Sequence, residues 1–304
     1  MNRLMGMLLV VGSLVLLAAC TSTDSIRILS AALGGGSGMS DKEKAEAVVQ
    51  SARAVAKSFE DITPEQEYYI GRAVGAAVLD RYRPYTNQKA NHYLNVLGRT
   101  LSLVSDRPET FGGYHFLILD SEEINAFATP SGLIFVSLGM LRCASSEDAV
   151  AAILAHEIGH IELKHGLKAI KTSRITTALT SAALTGVAVA GSEEMAELTT
   201  AFEDSITDIT STMINSGYSR SSEVQADKSA VRILQTAGYN PWALVEMLEI
   251  MEQRLQPGGL DFATTHPKPE LRIKEIEKTL AGIEKNQPVY PQRQRRYRSA
   301  LGEL

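Results

Sequence analysis

The residues with the clearest capacity for chemistry are His156-Glu157-Ile158-Gly159-His160, inside the stretch AVAAILAHEIGHIELKH (149–165). On an α-helix, residues four apart lie about 40° apart around the axis, so both imidazoles point the same way. That geometry chelates one Zn²⁺ through two ring nitrogens. Glu157 stands beside the pair without being a ligand, where it can take a proton from a water that the ion activates. Val150, Leu154, Ile158 and Ile161 form an apolar stripe nearly opposite the histidines, so one face is expected to pack and the other to react.

Two imidazoles need a further ligand, and His165 is the nearest candidate by sequence. It comes five residues after His160, and the places where the three-histidine pattern needs glycine and histidine hold Leu163 and Gly166. If the helix continues, His165 points about 160° away from the pair. It is therefore expected to pack beneath the helix or to bond a carbonyl. A carboxylate from a later helix fits better. SRSSEVQADKSAVRILQTAG (219–238) reads as a helix opened by Ser222 and Gln225 in a capping box and closed at Gly238. Glu223 and Asp227, four apart, share one face. Glu223 is placed as the third zinc ligand, and Asp227, one turn on, as acceptor for the remaining N–H of a ligand histidine.

The elements that must position these groups alternate between two periods. Helical patterns are expected at 41–59, 64–83 and 87–105, the second opened by Thr63-Pro64 as cap and first-turn proline. YHFLILD (114–120) reads as a buried strand, and EINAFATPSGLIFVSLGML (123–141) as two short strands turning at Pro130-Ser131-Gly132. From Ser145 the pattern is helical almost to the end, with no internal repeat. The fold class is α+β: a mostly helical domain, with a small β-sheet beside the metal-binding helix. Residues 175–191 are apolar but rich in Ser and Thr, and read as a packed or lid helix rather than a membrane span. With the acidic stretch that follows, they form an insert at 166–215, of a kind that often covers an active site. The basic run QRQRRYR (292–298) reads as a solvated tail.

Composition narrows the function. A net charge of −5 over 304 residues gives no footprint for nucleic acid. Only Cys20 and Cys143 are present, so no disulfide framework can be drawn. Residues 1–19 carry one early positive charge, Arg3, and then an apolar run too short for a comfortable span, as a secretory signal does. The run ends in Leu17-Ala18-Ala19-Cys20, which resembles the bacterial lipobox. The resemblance implies cleavage before Cys20 and lipid attached to that cysteine, with 20–40 as a flexible tether and 41–304 as the domain. Thr21, where an aspartate would signal inner-membrane retention, favours the outer membrane of a Gram-negative cell, with the domain facing the periplasm.

HEIGH, then SRSSEVQAD, then THPKPELRI (265–273) resembles the family of zinc metallopeptidases that includes the CAAX prenyl endopeptidases and the bacterial HtpX-like heat-shock proteases. The resemblance covers roughly residues 60 to 280 and implies a zincin-like fold with two histidines and one glutamate on a single Zn²⁺ per chain. It implies that the strand before the metal helix, through Gly132, Leu133, Ile134, Phe135 and Val136, pairs edge-on with an extended substrate. It also implies that His266 and Arg272 contact the substrate carbonyl, with resting-state capping of zinc as the other role open to His266. The chain lacks the membrane spans of those two branches and the C-terminal helical repeats of the periplasmic branch that assists outer-membrane protein assembly. It looks most like a small lipoprotein branch. The expected activity is endopeptidase cleavage of unfolded or misassembled envelope polypeptides. The rival is a chaperone or assembly factor for outer-membrane proteins that seldom cuts.

Overall fold

The computed structural model of the chain describes residues 62–169, 210, 217–254, 269–288 and 290–304. The signal segment, Cys20 and the tether, the helix expected at 41–59, the apolar run 175–191, most of the insert and His266 lie outside these residues.

Helix α1 (Pro64–Arg81) begins where Thr63 and Pro64 dictate. The Thr63 hydroxyl accepts from Gln66 N, and the Gln66 side chain accepts from Thr63 N, a reciprocal capping box. Helix α2 (Gln88–Ser102) is capped by Asn87, whose side chain accepts from Ala90 N. Strands β1 (His115–Leu119), β2 (Ala126–Ala128) and β3 (Leu133–Ser137) make one sheet in the order β1-β3-β2. β1 runs parallel to β3, and β2 antiparallel to it, with Phe127 opposite Phe135. The connection between β2 and β3 turns at Gly132, whose φ of +99° suits glycine.

Side chains leave this sheet alternately. Phe127 and Phe135 meet Ile70, Val74 and Val78 of α1, whereas Phe116, Ile118, Ile134 and Val136 join the larger core that holds the remaining helices. Gly71 lets α1 come close to the β2–β3 turn, since a Cβ there would lie 2.3 Å from Ser131 Oγ.

The two outer edges of the sheet differ. Asn91 and Asn95 of α2 close the edge of β1: Asn91 Oδ1 accepts from Ile118 N, and the Asn95 side chain both accepts from Phe116 N and donates to Phe116 O. β3 lies between its two neighbours, so the expectation that residues 132–136 offer an edge is corrected. The other edge is that of β2, whose three residues are buried. Asn125, Phe127 and Thr129 pair with Ser137, Phe135 and Leu133, so Ala126 and Ala128 turn their backbone groups away from β3. The Ala126 N–H on that side is taken by Asn125 Oδ1. The segment expected to extend β3 to 141 is instead a short helix, α3 (Leu138–Leu141), because Ser137 Oγ caps it by accepting from Met140 N.

Helix α4 (Glu147–Glu162), capped by Ser146, carries the two-histidine motif and is buried on all sides from Ala149 to Ile161. The face expected to react openly is therefore itself covered, chiefly by α5 (Arg220–Thr236). α5 is capped by Ser219 and not Ser222: Ser219 has extended backbone, and its hydroxyl accepts from Ser222 N. α6 (Ala243–Arg254) and α7 (Pro269–Thr279) pack behind these two helices.

The basic run at the C-terminus is not a solvated tail. It forms helix α8 (Pro291–Leu301), which holds the start of α4. Glu147, 1% exposed, receives Arg296 through Nε (3.0 Å) and Nη2, together with the hydroxyls of Tyr93 and Tyr239. Asp148 receives Arg293 at 3.0 Å. The Arg296 side chain is itself half exposed, which screens the pair. Replacing Arg296 by Ala is expected to lower stability by about 2 kcal/mol, because Glu147 loses charged donors while remaining buried. Urea unfolding measures this, with exposed Arg295→Ala on the same helix expected within about 0.5 kcal/mol of the parent.

Candidate metal centre

Among the described residues the most extensive contact between two helices brings α5 across α4, and Gly159 of HEIGH is what permits it. A Cβ at Gly159 would lie 3.0 Å from Ala226 O and 3.2 Å from Ala226 Cα. The glycine therefore decides how near Glu223 and Asp227 come to the histidines.

That approach places three donors together. His156 Nε2 and His160 Nε2 are 3.1 Å apart. Glu223 Oε2 lies 3.5 Å from the first and Oε1 lies 3.4 Å from the second. All three residues are buried, Glu223 completely. Among the described residues these are the ones grouped closely enough to hold a metal ion. Donors about 2.0–2.1 Å from a tetrahedral ion are about 3.3 Å from one another. The observed spacings match that figure, and the donor set of two neutral imidazoles and a carboxylate suits Zn²⁺.

Behind His156, Asp227 Oδ1 stands 3.0 Å from Nδ1. Arg272, from α7, grips the same carboxylate through Nε (3.0 Å) and Nη2 (2.6 Å). Burial alone would raise the Asp227 pKa, but Arg272 and His156 hold it below the usual carboxylate range. Arg272, expected at the substrate carbonyl, is 1% exposed and spends this two-pronged contact on Asp227. His266, expected beside it, lies outside the described residues.

Electrostatics mark the site as one that draws cations. Burial and Arg272 work against charging His156, yet the carboxylates of Asp227 and Glu223 outweigh them and push its pKa up to about 9. Glu157 is 2% exposed. Burial raises its carboxyl most, His156 lowers it, Glu223 raises it and Arg272 lowers it, leaving it at about 7. A carboxyl poised near neutrality beside a ligand set is suited to taking and returning protons.

Two neighbours were missed in the sequence. His165 does not pack beneath the helix. α4 stops at Glu162, Lys164 adopts a left-handed φ of +54°, and the chain turns so that His165 Nδ1 lies 3.0 Å from His160 Nδ1. Tyr218, immediately before the cap of α5, stacks on His160 at 4.5 Å between ring centroids. No periodicity signals either contact, since a lysine carries no sign of a left-handed turn and Tyr218 precedes its helix.

A helical domain in which a buried two-histidine helix meets a glutamate from a second helix, beside a small sheet, has the architecture and ligand set of a zinc metallopeptidase. The model of peptidase family M48 matches residues 88–280, and the chain belongs to that family. It is 27% identical over 212 residues to the beta-barrel assembly-enhancing protease of Escherichia coli, a match covering 69% of this chain and 42% of that relative. It is also similar to metalloprotease LoiP of Escherichia coli, at 25% identity over 53% of this chain and 61% of the relative. Mitochondrial metalloendopeptidase OMA1 of Schizosaccharomyces pombe is 29% identical over 51% of this chain and 43% of its own length. The chain thus spans less than half the length of the assembly-enhancing protease it matches.

Proposed function

We propose that the chain is a lipid-anchored zinc endopeptidase of the small lipoprotein branch, cleaving unfolded or misassembled envelope polypeptides on the periplasmic side of the outer membrane. The observation that carries this reading is the convergence of His156, His160 and Glu223, with Glu157 on the same helix. His156, His160 and Glu223 hold the ion. Zinc held there would supply Lewis acidity, toward a water and toward a peptide carbonyl.

The remaining work falls to the chain's own residues. Glu157 takes the proton of the attacking water and returns it to the leaving amine. Asp227 fixes the orientation of His156, and Arg272 acts through Asp227 by keeping that carboxylate charged. His266 remains the proposed donor to the substrate carbonyl. The substrate is held extended by adding a strand to β2, at the outward backbone of Ala128 and the carbonyl of Ala126. The closed edge of β1 leaves β2 as the side of the sheet where such pairing can occur. Only an extended chain can pair in this way, which supports unfolded polypeptides as the substrate class.

The lipid anchor and location rest on the lipobox-like residues ending at Cys20. Among the described residues no helix is long and apolar enough to cross a membrane. Replacing Cys20 by Ser should abolish incorporation of labelled palmitate into the protein, and absence of labelling in the parent would contradict the anchor.

Replacing Glu157 by Gln should leave zinc bound while kcat/KM on an unfolded polypeptide falls about a hundred- to ten-thousandfold. In the parent enzyme, activity should fall as pH drops through the Glu157 pKa, because the base must be ionised. Bound zinc, a cation, draws that limb below the metal-free value of about 7. Cleavage undiminished in the Gln variant refutes the mechanism, as does an acid limb centred clearly above pH 7. The relative named for enhancing beta-barrel assembly, itself called a protease, supports a second reading in which this chain assists outer-membrane protein assembly and seldom cuts. Full rescue of a deletion phenotype by the Glu157→Gln variant would select it.

A further inference from the structure

We propose that His165 is a positioning residue for the metal centre: it accepts the proton on His160 Nδ1 and so fixes the tautomer in which His160 Nε2 can bind the ion. This rests on the reading of His156, His160 and Glu223 as zinc ligands. The atoms that converge on one another are Nε2 of both histidines and the Glu223 carboxylate. A histidine that ligates through Nε2 keeps its proton on Nδ1 and needs an acceptor there. His156 has Asp227 Oδ1 for this at 3.0 Å. For His160 the group in that place is His165 Nδ1, also at 3.0 Å.

Two facing ring nitrogens share one proton, so the pair has a direction. When His160 donates, its Nε2 lone pair points at the donor cluster. When His165 donates, a neutral His160 carries its proton on Nε2, the atom 3.1 Å from His156 Nε2 and 3.4 Å from Glu223 Oε1. The ion can be held only in the first arrangement. His165 then keeps its own proton on Nε2, a buried atom without a hydrogen-bond partner among the described residues, and the acceptor is uncharged. The two ligand histidines are thus supported by different means, His156 by a carboxylate neutralised by Arg272 and His160 by a neutral ring.

The backbone supplies an independent sign that the contact is built in. Among the described residues Lys164 is the non-glycine residue with positive φ, a conformation that residues bearing a Cβ rarely adopt. Its effect is to turn His165 back against His160, where a continuing helix would carry it away. The seat is tight on the other side. A Cβ on Gly166 would lie 3.1 Å from Pro130 Cγ and 3.4 Å from the Tyr218 hydroxyl. Tyr218 also tilts against His165, with ring centroids 5.9 Å apart, while stacking on His160.

The test is zinc affinity, measured by competition with a chromogenic chelator on the full chain. His165→Leu, which fills the space without an acceptor, should weaken binding about 10- to 100-fold. His165→Asn, whose side-chain oxygen can stand near the place of Nδ1, should restore affinity to within about threefold of the parent. Equal affinity in the Leu variant and the parent overturns the proposal. Nitrogen NMR of the zinc-loaded parent gives an answer that needs no variant. His160 should show a protonated, hydrogen-bonded Nδ1 and a metal-bound Nε2, and the reverse assignment overturns the proposal. A parent chain that binds no zinc sinks the ligand assignment itself, an outcome distinct from a parent that binds zinc and a Leu variant that binds it equally well.

Discussion

A fully buried carboxylate within 3.5 Å of two buried imidazole nitrogens is costly unless a cation joins them, and the rest of this structure is arranged around that constraint. Glu223 reaches the histidines only because α5 crosses α4 at Gly159. α4 can be buried on all sides only because its acidic start is matched from outside. Glu147 and Asp148 meet Arg296 and Arg293, which come from 149 and 145 residues further along the chain. The C-terminal helix thus serves the metal centre without touching it.

The same constraint explains the uneven support of the ligands. A metal-binding imidazole must be told which nitrogen keeps its proton, and each neighbour chosen for that task changes the charge of the site. Asp227 brings a negative charge, which Arg272 cancels within hydrogen-bond distance. His165 brings none. In the proposed function Glu223 is the carboxylate that holds the ion and Glu157 the one that exchanges protons.

The grouping of the candidate ligands was legible in the sequence because spacing four is close to the helical period, so HEIGH and Glu223/Asp227 each place two side chains on one helix face. The helix opened by Thr63-Pro64 was legible for a similar reason, since its cap is local chemistry. What depends on distant partners was not. An apolar run such as LIFVS says strand but not which strands lie beside it, and 132–136 turns out to lie between β1 and β2. Ser219 and Ser222 can both cap a helix, and only backbone conformation selects Ser219. A basic run looks solvated until Glu147 and Asp148 are seen to need it. The return of His165 toward His160 hangs on one left-handed lysine, a conformation no residue type at that position announces. The motif resemblance did convey the family, which the match over residues 88–280 shows.

Crystals of the zinc-loaded chain, measured at the zinc absorption edge, test the central claim most directly. The account predicts one anomalous peak per chain, about 2.0–2.2 Å from His156 Nε2, from His160 Nε2 and from a carboxylate oxygen of Glu223. A map with no peak between those three side chains, or with the zinc bound elsewhere, would contradict it.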